Sequence, residues 1–368
     1  MNNNGKSRGF GKKGWMIIIF TLFIYMFTCT APDTLNVSVT VFAQAFGWDS
    51  NQMLMFSAVG GFAGIAVSAV LGVVIAKKGV KIPTFVMMIA SALIWLFHGH
   101  VHAFVTYGLA VVLLTAFSNA LNLVSTQQIM SNWFPKKKGI ALGWATMGTC
   151  FSSAIMVAVF QGMFGKGISA PYHLMFGIFI ILAIITMVWF KQFPEEAGAY
   201  PDNEPITEEE RQANLAMLNN AKTEFTIGKL LRTKEMWMLT IIFGFVALGL
   251  VAVISQMVPR LVAVGLGQNM AIMYLTIASI IGIPASVIWG FIDQKLGTNK
   301  TVRVFCVLWT LMLVISALGS GMVNVPMAVF SVIFYAVLLG GMMNLMPSAI
   351  ISVFGRFDFA DANKIIMP

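Results

Sequence analysis

Apolar residues run along this chain in long blocks, and the polar stretches between them are short and mostly basic. Ten blocks have about 18 residues or more, each enough to cross roughly 30 Å of hydrocarbon as a helix. Their cores fall near 15–35, 53–76, 82–98, 104–131, 139–163, 170–190, 237–258, 271–292, 302–322 and 325–352. The pattern predicts helices throughout, because a lipid-exposed segment must satisfy its own backbone hydrogen bonds.

Within two of these blocks the same small-residue stripe occurs. Gly60, Gly64, Ser68, Gly72, Lys77 and Gly79 repeat as Ala278, Gly282, Ser286, Gly290, Lys295 and Gly297, at a constant offset of 218 residues (290 − 72). Small residues at every fourth position line one helix face and let a second helix approach closely in lipid. One copy per half is the mark of an internally duplicated membrane transporter.

Composition agrees with this class, since 58% of residues are hydrophobic and only 10% are charged. The net charge of +9 does not point to nucleic acid, because the basic residues follow the ends of the apolar blocks. With the N-terminus in the cytoplasm, all 23 lysines and arginines except Lys166 and Arg260 fall on the cytoplasmic side. This is the positive-inside bias of a multi-pass protein of the cell membrane. Cys29, Cys150 and Cys306 lie in three different blocks, so they predict neither a disulfide framework nor a metal cluster. Ala43-Gln44-Ala45 mimics a signal-peptide cleavage site, but the apolar run from Met16 is too long for one and further spans follow.

One long polar connection divides the chain into an N-terminal bundle (1–191), a cytoplasmic linker (192–235) and a C-terminal bundle (236–368). Thr207 and Glu210 form a capping-box pattern, predicting a short helix to Leu218, and Thr226–Arg232 predicts a second capped segment leading into Trp237. Six spans thus precede the linker and four follow it. Phe354-Gly355-Arg356 stands where Phe134-Pro135-Lys136 stands in the first half, and Ala362–Met367 reads as the start of an eleventh helix. The expectation is an all-α polytopic fold of two pseudo-symmetric six-helix bundles, cut short after about ten spans.

The loops after spans two and eight carry a family resemblance. Gly72, Ala76, Lys77, Gly79 and Lys81, and Gly290, Gln294, Lys295, Gly297 and Lys300, resemble the motif of the major facilitator superfamily, whose pattern has Asp four residues after the first glycine. Both copies lack that Asp, although Asp293 sits one position early. The resemblance implies a gating motif on the cytoplasmic side, comprising Gly72, Lys77, Gly79, Lys81, Gly290, Asp293, Lys295 and Gly297. The segment Asn132–Gly143 (NWFPKKKGIALG) is similar to the branch of oxalate:formate antiporters and monocarboxylate porters. Dicarboxylate carriers of that branch use basic residues in spans eight and eleven, and span eight here has none. The resemblance implies rocking of two bundles around a central site, energised by protons or a counter-exchanged substrate, with no cofactor.

Ionisable residues within spans are functional candidates by default. Asp33, followed by Asn36 in span one, reads either as a proton or substrate contact or as a carboxylate in the outer headgroup zone or one capping a broken helix. Gln256 holds the corresponding depth in span seven with Arg260 one turn beyond, where Arg260 could gate with Asp33, attract an anion, or snorkel to headgroups. Asn119 and Asn122 in span four and Asn344 in span ten are either cavity-lining amides, as the resemblance implies, or interhelical hydrogen-bonding groups. His98, His100 and His102 alternate in a loop, where a polar interfacial role is favoured over metal binding. No cluster supports a membrane enzyme. The reading is a monomeric secondary carrier of a small polar metabolite or organic anion, in contact with the lipid bilayer and not with nucleic acid or a bound metal. The alternative is a non-transporting membrane sensor on the same fold.

Overall fold

The computed structural model describes residues 9–205, 207, 209, 210, 212, 227–355 and 358–366, and all regular elements among them are helices. Span one is Gly11–Asp33 continued by Leu35–Phe46, followed by span two (Ser50–Lys78), span three (Lys81–His98) and span four (Phe104–Trp133). Span five is Lys138–Phe164 and span six Ala170–Val188. After the linker come span seven (Lys234–Ala263), span eight (Gln268–Leu296), span nine (Thr298–Gly321), span ten (Val325–Phe354) and a final helix, Phe359–Ile366. Nine of the described helices are long and apolar enough to cross a membrane, and span seven, at 30 residues, matches them in length.

Local chemistry sets where these helices begin and end. Asp49 accepts from the Gln52 amide at 2.8 Å to start span two, and Asn324 does the same for Met327 at 3.0 Å to start span ten. Gly79 and Gly297, at φ 75° and 82°, close spans two and eight by donating to the carbonyls of Ile75 and Asp293. The duplicated glycines after the stripe therefore do the same backbone work twice.

Two hydrophobic cores form, one from buried residues between Phe10 and Phe190 and the other between Leu230 and Ile366. Large apolar side chains also cover the outside, with Phe62 76% and Val105 78% exposed. Such a surface is stable only against lipid.

Span one departs from its expected length. Pro32 removes one helical donor, yet the Thr34 amide bonds the Thr30 carbonyl at 3.0 Å and the Ser38 amide bonds Thr34 at 2.9 Å. The helix is interrupted at Thr34 and resumes to Phe46, so Asp33 stands at the break between the two segments.

The linker docks on the first bundle. Asp202, buried at φ 58°, accepts from the amides of Lys136 and Lys137 at 2.9 and 2.7 Å, just before span five. Burial outweighs these donors and raises its carboxyl above the ordinary range. Exposed Glu204 pairs with Lys136 at 3.0 Å, which lowers the glutamate's pKa and raises that of the lysine. The capping box between Thr207 and Glu210 forms, at 3.1 and 3.2 Å. The rest of that expected helix, to Leu218, lies outside the described residues. Ile227–Leu230 forms one helical turn, and the Trp237 indole donates to the Leu231 carbonyl at 2.8 Å.

Asp202→Ala removes the acceptor of two part-buried amides and should cost about 1–2 kcal/mol. Glu204→Ala should cost about 1 kcal/mol or less, because solvent screens the pair. The Glu204 contribution is present above the unfolded carboxylate pKa and is lost as pH falls through the lower folded value. Thermal unfolding of the two variants across acidic pH checks both the order and the sign.

Candidate functional site

The face that carries the linker and the N-terminal end of span one is closed by contact between the bundles. Span eight lies against span five with its small residues facing small residues. Gly290 is so close to Gly139 that a methyl group on it would strike the Gly139 carbonyl, and one on Gly143 would meet the Ser286 carbonyl at 2.8 Å. Ser286 donates to the Gly143 carbonyl at 3.0 Å and pairs with the Thr146 hydroxyl at 2.6 Å. Farther along, Gly282 approaches Cys150, whose sulfur would stand 3.2 Å from an added methyl. The final helix makes the reciprocal contact on the first bundle, where Asn363 donates to the Leu123 carbonyl at 3.1 Å.

Asp293 sits inside this closure. Its side chain is 3% exposed and accepts from Ser348 of span ten at 2.5 Å, and a methyl on Gly139 would clash with its carboxyl group. It thereby occupies the first turn of span five, where the positive end of the helix dipole favours a carboxylate. The one-residue shift from the family pattern does not prevent Asp293 from reaching the interface. Gly72 is buried, whereas Lys77 and Lys295 are exposed and Lys81 is half-buried.

Asp33 lies just beyond the last close contact of spans five and eight. Its carboxyl is within hydrogen-bond reach of Ser152 and Ser153, which follow Cys150 by two and three residues, or about 3–5 Å of helix rise. Its second oxygen, Oδ2, is buried and has no hydrogen-bond partner. No ion pair reaches it among the described residues. Thr30, one turn below, approaches the Ser152 hydroxyl at 3.5 Å.

Two turns of π-helix flank this part of span one, Leu121–Ser125 in span four and Ser152–Met156 in span five. Such insertions add a residue to a turn and recur at functional sites. In one of them Asn122 bonds Thr28 and donates to the Cys29 sulfur at 3.3 Å, gripping span one. In the other, Ser152 and Ser153 face Asp33. Nothing in the sequence marks the π-turns, and the Ser152-Ser153 pair in an apolar run was the only visible trace of the second.

The remaining candidates are placed elsewhere. Half-buried Asn119 stands against Gly64 of span two, so it and Asn122 engage different helices. Asn344 is fully buried and donates to the Ser286 carbonyl at 3.0 Å, behind the contact with span five. Arg260 turns into its own bundle, donating to Ser316 of span nine at 3.0 Å, and it does not meet Asp33. The side chains of Asn36 and Gln256 lie outside the described part of the structure. The histidines also diverge: His98 is buried against the Tyr172 ring at 4.6 Å, while His100 pairs with His173 at 5.0 Å.

Two apolar helical bundles, closed against each other on one face beside a half-buried carboxylate, define a membrane carrier. The chain belongs to the Major Facilitator Superfamily, whose family model matches residues 10–364. It is a multi-pass secondary transporter and not an enzyme. It is similar to the oxalate:formate antiporter of Oxalobacter formigenes, with 24% identity over 96% of this chain and 81% of the relative. Among solved structures it resembles the proton:xylose symporter XylE (TM-score 0.71, 12% identity, 96% of this chain and 86% of that one). It also resembles the human organic anion transporter MFSD10 (TM-score 0.66, 11% identity, 96% and 88%).

Gly143→Val should wedge spans five and eight apart at a cost of about 1–3 kcal/mol. The expected readout is a severalfold faster reaction of Cys150 with a thiol reagent in a Cys29→Ser/Cys306→Ser background. Gly162→Val, in the same span but facing open space, should leave the rate unchanged.

Proposed function

We propose that this transporter carries a small organic anion together with a proton, with Asp33 as the proton carrier. The observation that carries the reading is the Asp33 carboxyl, half-buried just beyond the inter-bundle contact, with its Oδ2 buried and unpartnered and no cation paired with it among the described residues. A buried carboxylate without a counter-charge is costly, and a proton is the smallest group that relieves it.

Electrostatics then couples the two solutes. An anion bound within roughly 6 Å of ionised Asp33 would be repelled by about 3 kcal/mol at an effective dielectric of about 20, which is more than 100-fold in affinity. Protonation removes that repulsion, so the proton binds first and the anion second. The similarity to an oxalate:formate antiporter supports a carboxylate substrate.

The concentration of basic residues on the linker face supports a cytoplasmic N-terminus and linker. In that orientation the contacts from Gly139–Gly290 to Cys150–Gly282 form a closed cytoplasmic gate, and Asp33 is reached from outside. Rocking of the bundles would separate spans five and eight and expose Asp33 to the cytoplasm, with proton and anion binding biasing two states of comparable free energy.

Proteoliposomes given an inward proton gradient and a panel of labelled carboxylates test this reading. The wild-type chain should accumulate at least one of them, and Asp33→Asn should lose gradient-driven accumulation by about tenfold or more while retaining counterflow. Undiminished accumulation by Asp33→Asn would remove the residue from coupling. Binding without flux of any solute would favour the sensor reading.

A further inference from the structure

A cavity of about 520 Å³ opens between the linker-face ends of spans one and six, away from Asp33 and the inter-bundle contacts. Its polar rim carries three amines, those of Lys12, Lys13 and Lys191, against the single carboxylate of Glu196. Lys13 donates to the Ala197 carbonyl of the linker at 2.5 Å, which leaves its charge uncompensated. No carboxylate pairs with any of the three lysines among the described residues. The backbone that presents Lys191 is itself fixed, because the Trp133 indole donates to the Lys191 carbonyl at 3.1 Å.

The other wall is apolar and faces lipid. Met16 and Trp189 line it, and both side chains are more than one third exposed. The exposed strip continues up span one through Ile19 and Phe23, which share a helix face with Met16. On span six it continues through Val188, Ile184 and Ile181, all exposed. The Phe20 and Trp189 rings, 5.9 Å apart, join the two helices at the floor between these ridges.

We propose that this cavity binds an anionic phospholipid. The headgroup phosphate sits among the three amines and the acyl chains lie along the exposed strip of spans one and six. A free phosphate would satisfy the rim but would leave the apolar wall without an occupant. A zwitterionic lipid would fill the wall but would compensate the amines poorly, since basic pockets at a membrane surface select net negative headgroups. Because the rim includes both span one and the linker at Glu196–Ala197, the bound lipid ties the linker to the first bundle.

The full chain in neutral detergent, titrated with phosphatidylglycerol, phosphatidylcholine or inorganic phosphate, tests the proposal by native mass spectrometry and thermal unfolding. Phosphatidylglycerol should be retained at least tenfold better than phosphatidylcholine and should raise the melting temperature. Lys12→Gln/Lys191→Gln should abolish that preference, whereas Lys300→Gln/Arg303→Gln, an equal loss of charge elsewhere on the same face, should keep it. Brominated-chain phosphatidylglycerol should quench wild-type tryptophan emission, and Trp189→Phe should remove part of the quenched share, which locates the lipid without altering charge. Equal retention of the two lipids, equal loss in both double variants, or stabilisation by inorganic phosphate alone would each overturn the assignment.

Discussion

The closeness of spans five and eight is the contact on which the rest of the arrangement depends. Lipid gives apolar helices no hydrophobic reason to associate, so they must gain from packing and from hydrogen bonds. Gly139, Gly143, Ser286 and Gly290 bring two backbones near enough that a single added methyl group would collide with a carbonyl. That proximity lets Ser286 and Thr146 bond across the bundles, and it brings Asp293 to the first turn of span five. Larger side chains at the glycines would remove these polar contacts along with the packing.

Asp33 gains its setting from the same contact. Cys150 meets Gly282 at the end of the closed zone, and the π-turn that follows presents Ser152 and Ser153 to the carboxyl. The inter-bundle contact and the carboxylate thus share span five. A movement that parts span five from span eight also alters what surrounds Asp33, so the proposed protonation and the proposed gate would be connected through one helix. Asn122 holds span one a turn lower, so Asp33 is presented by a helix clasped at two levels.

Much of the fold was legible before any coordinates. The apolar blocks placed the ten long helices, and the repeat located the two glycine-capped turns. The site was legible only in part. Asp33 stood out because a carboxylate in a span is expensive, but its partners did not. The π-turns leave no signature in residue type, and Asn119 and Asn122, three residues apart, engage different helices. Arg260 shows the limit of arguing from depth alone. Its place one turn beyond the depth of Asp33 suggested a pairing, but the direction of the side chain follows the rotation of its helix, which carried it toward Ser316.

The sequence by itself determined that this is a duplicated helical membrane protein, which face carries the basic ends, and which residues allow close helix approach. These follow from composition and local spacing, because the bilayer permits few backbone solutions and penalises charge at depth. Only the tertiary structure decided what each stripe touches. Gly60 and Gly64 pack on span four, and the matching Gly282 and Ser286 pack on span ten of their own bundle, but Gly282, Ser286 and Gly290 also reach across to span five of the other. The second stripe serves two neighbours at once, which the sequence could not show because a helix face states only how closely a neighbour can come. Which neighbour arrives is set by the packing of all the other helices.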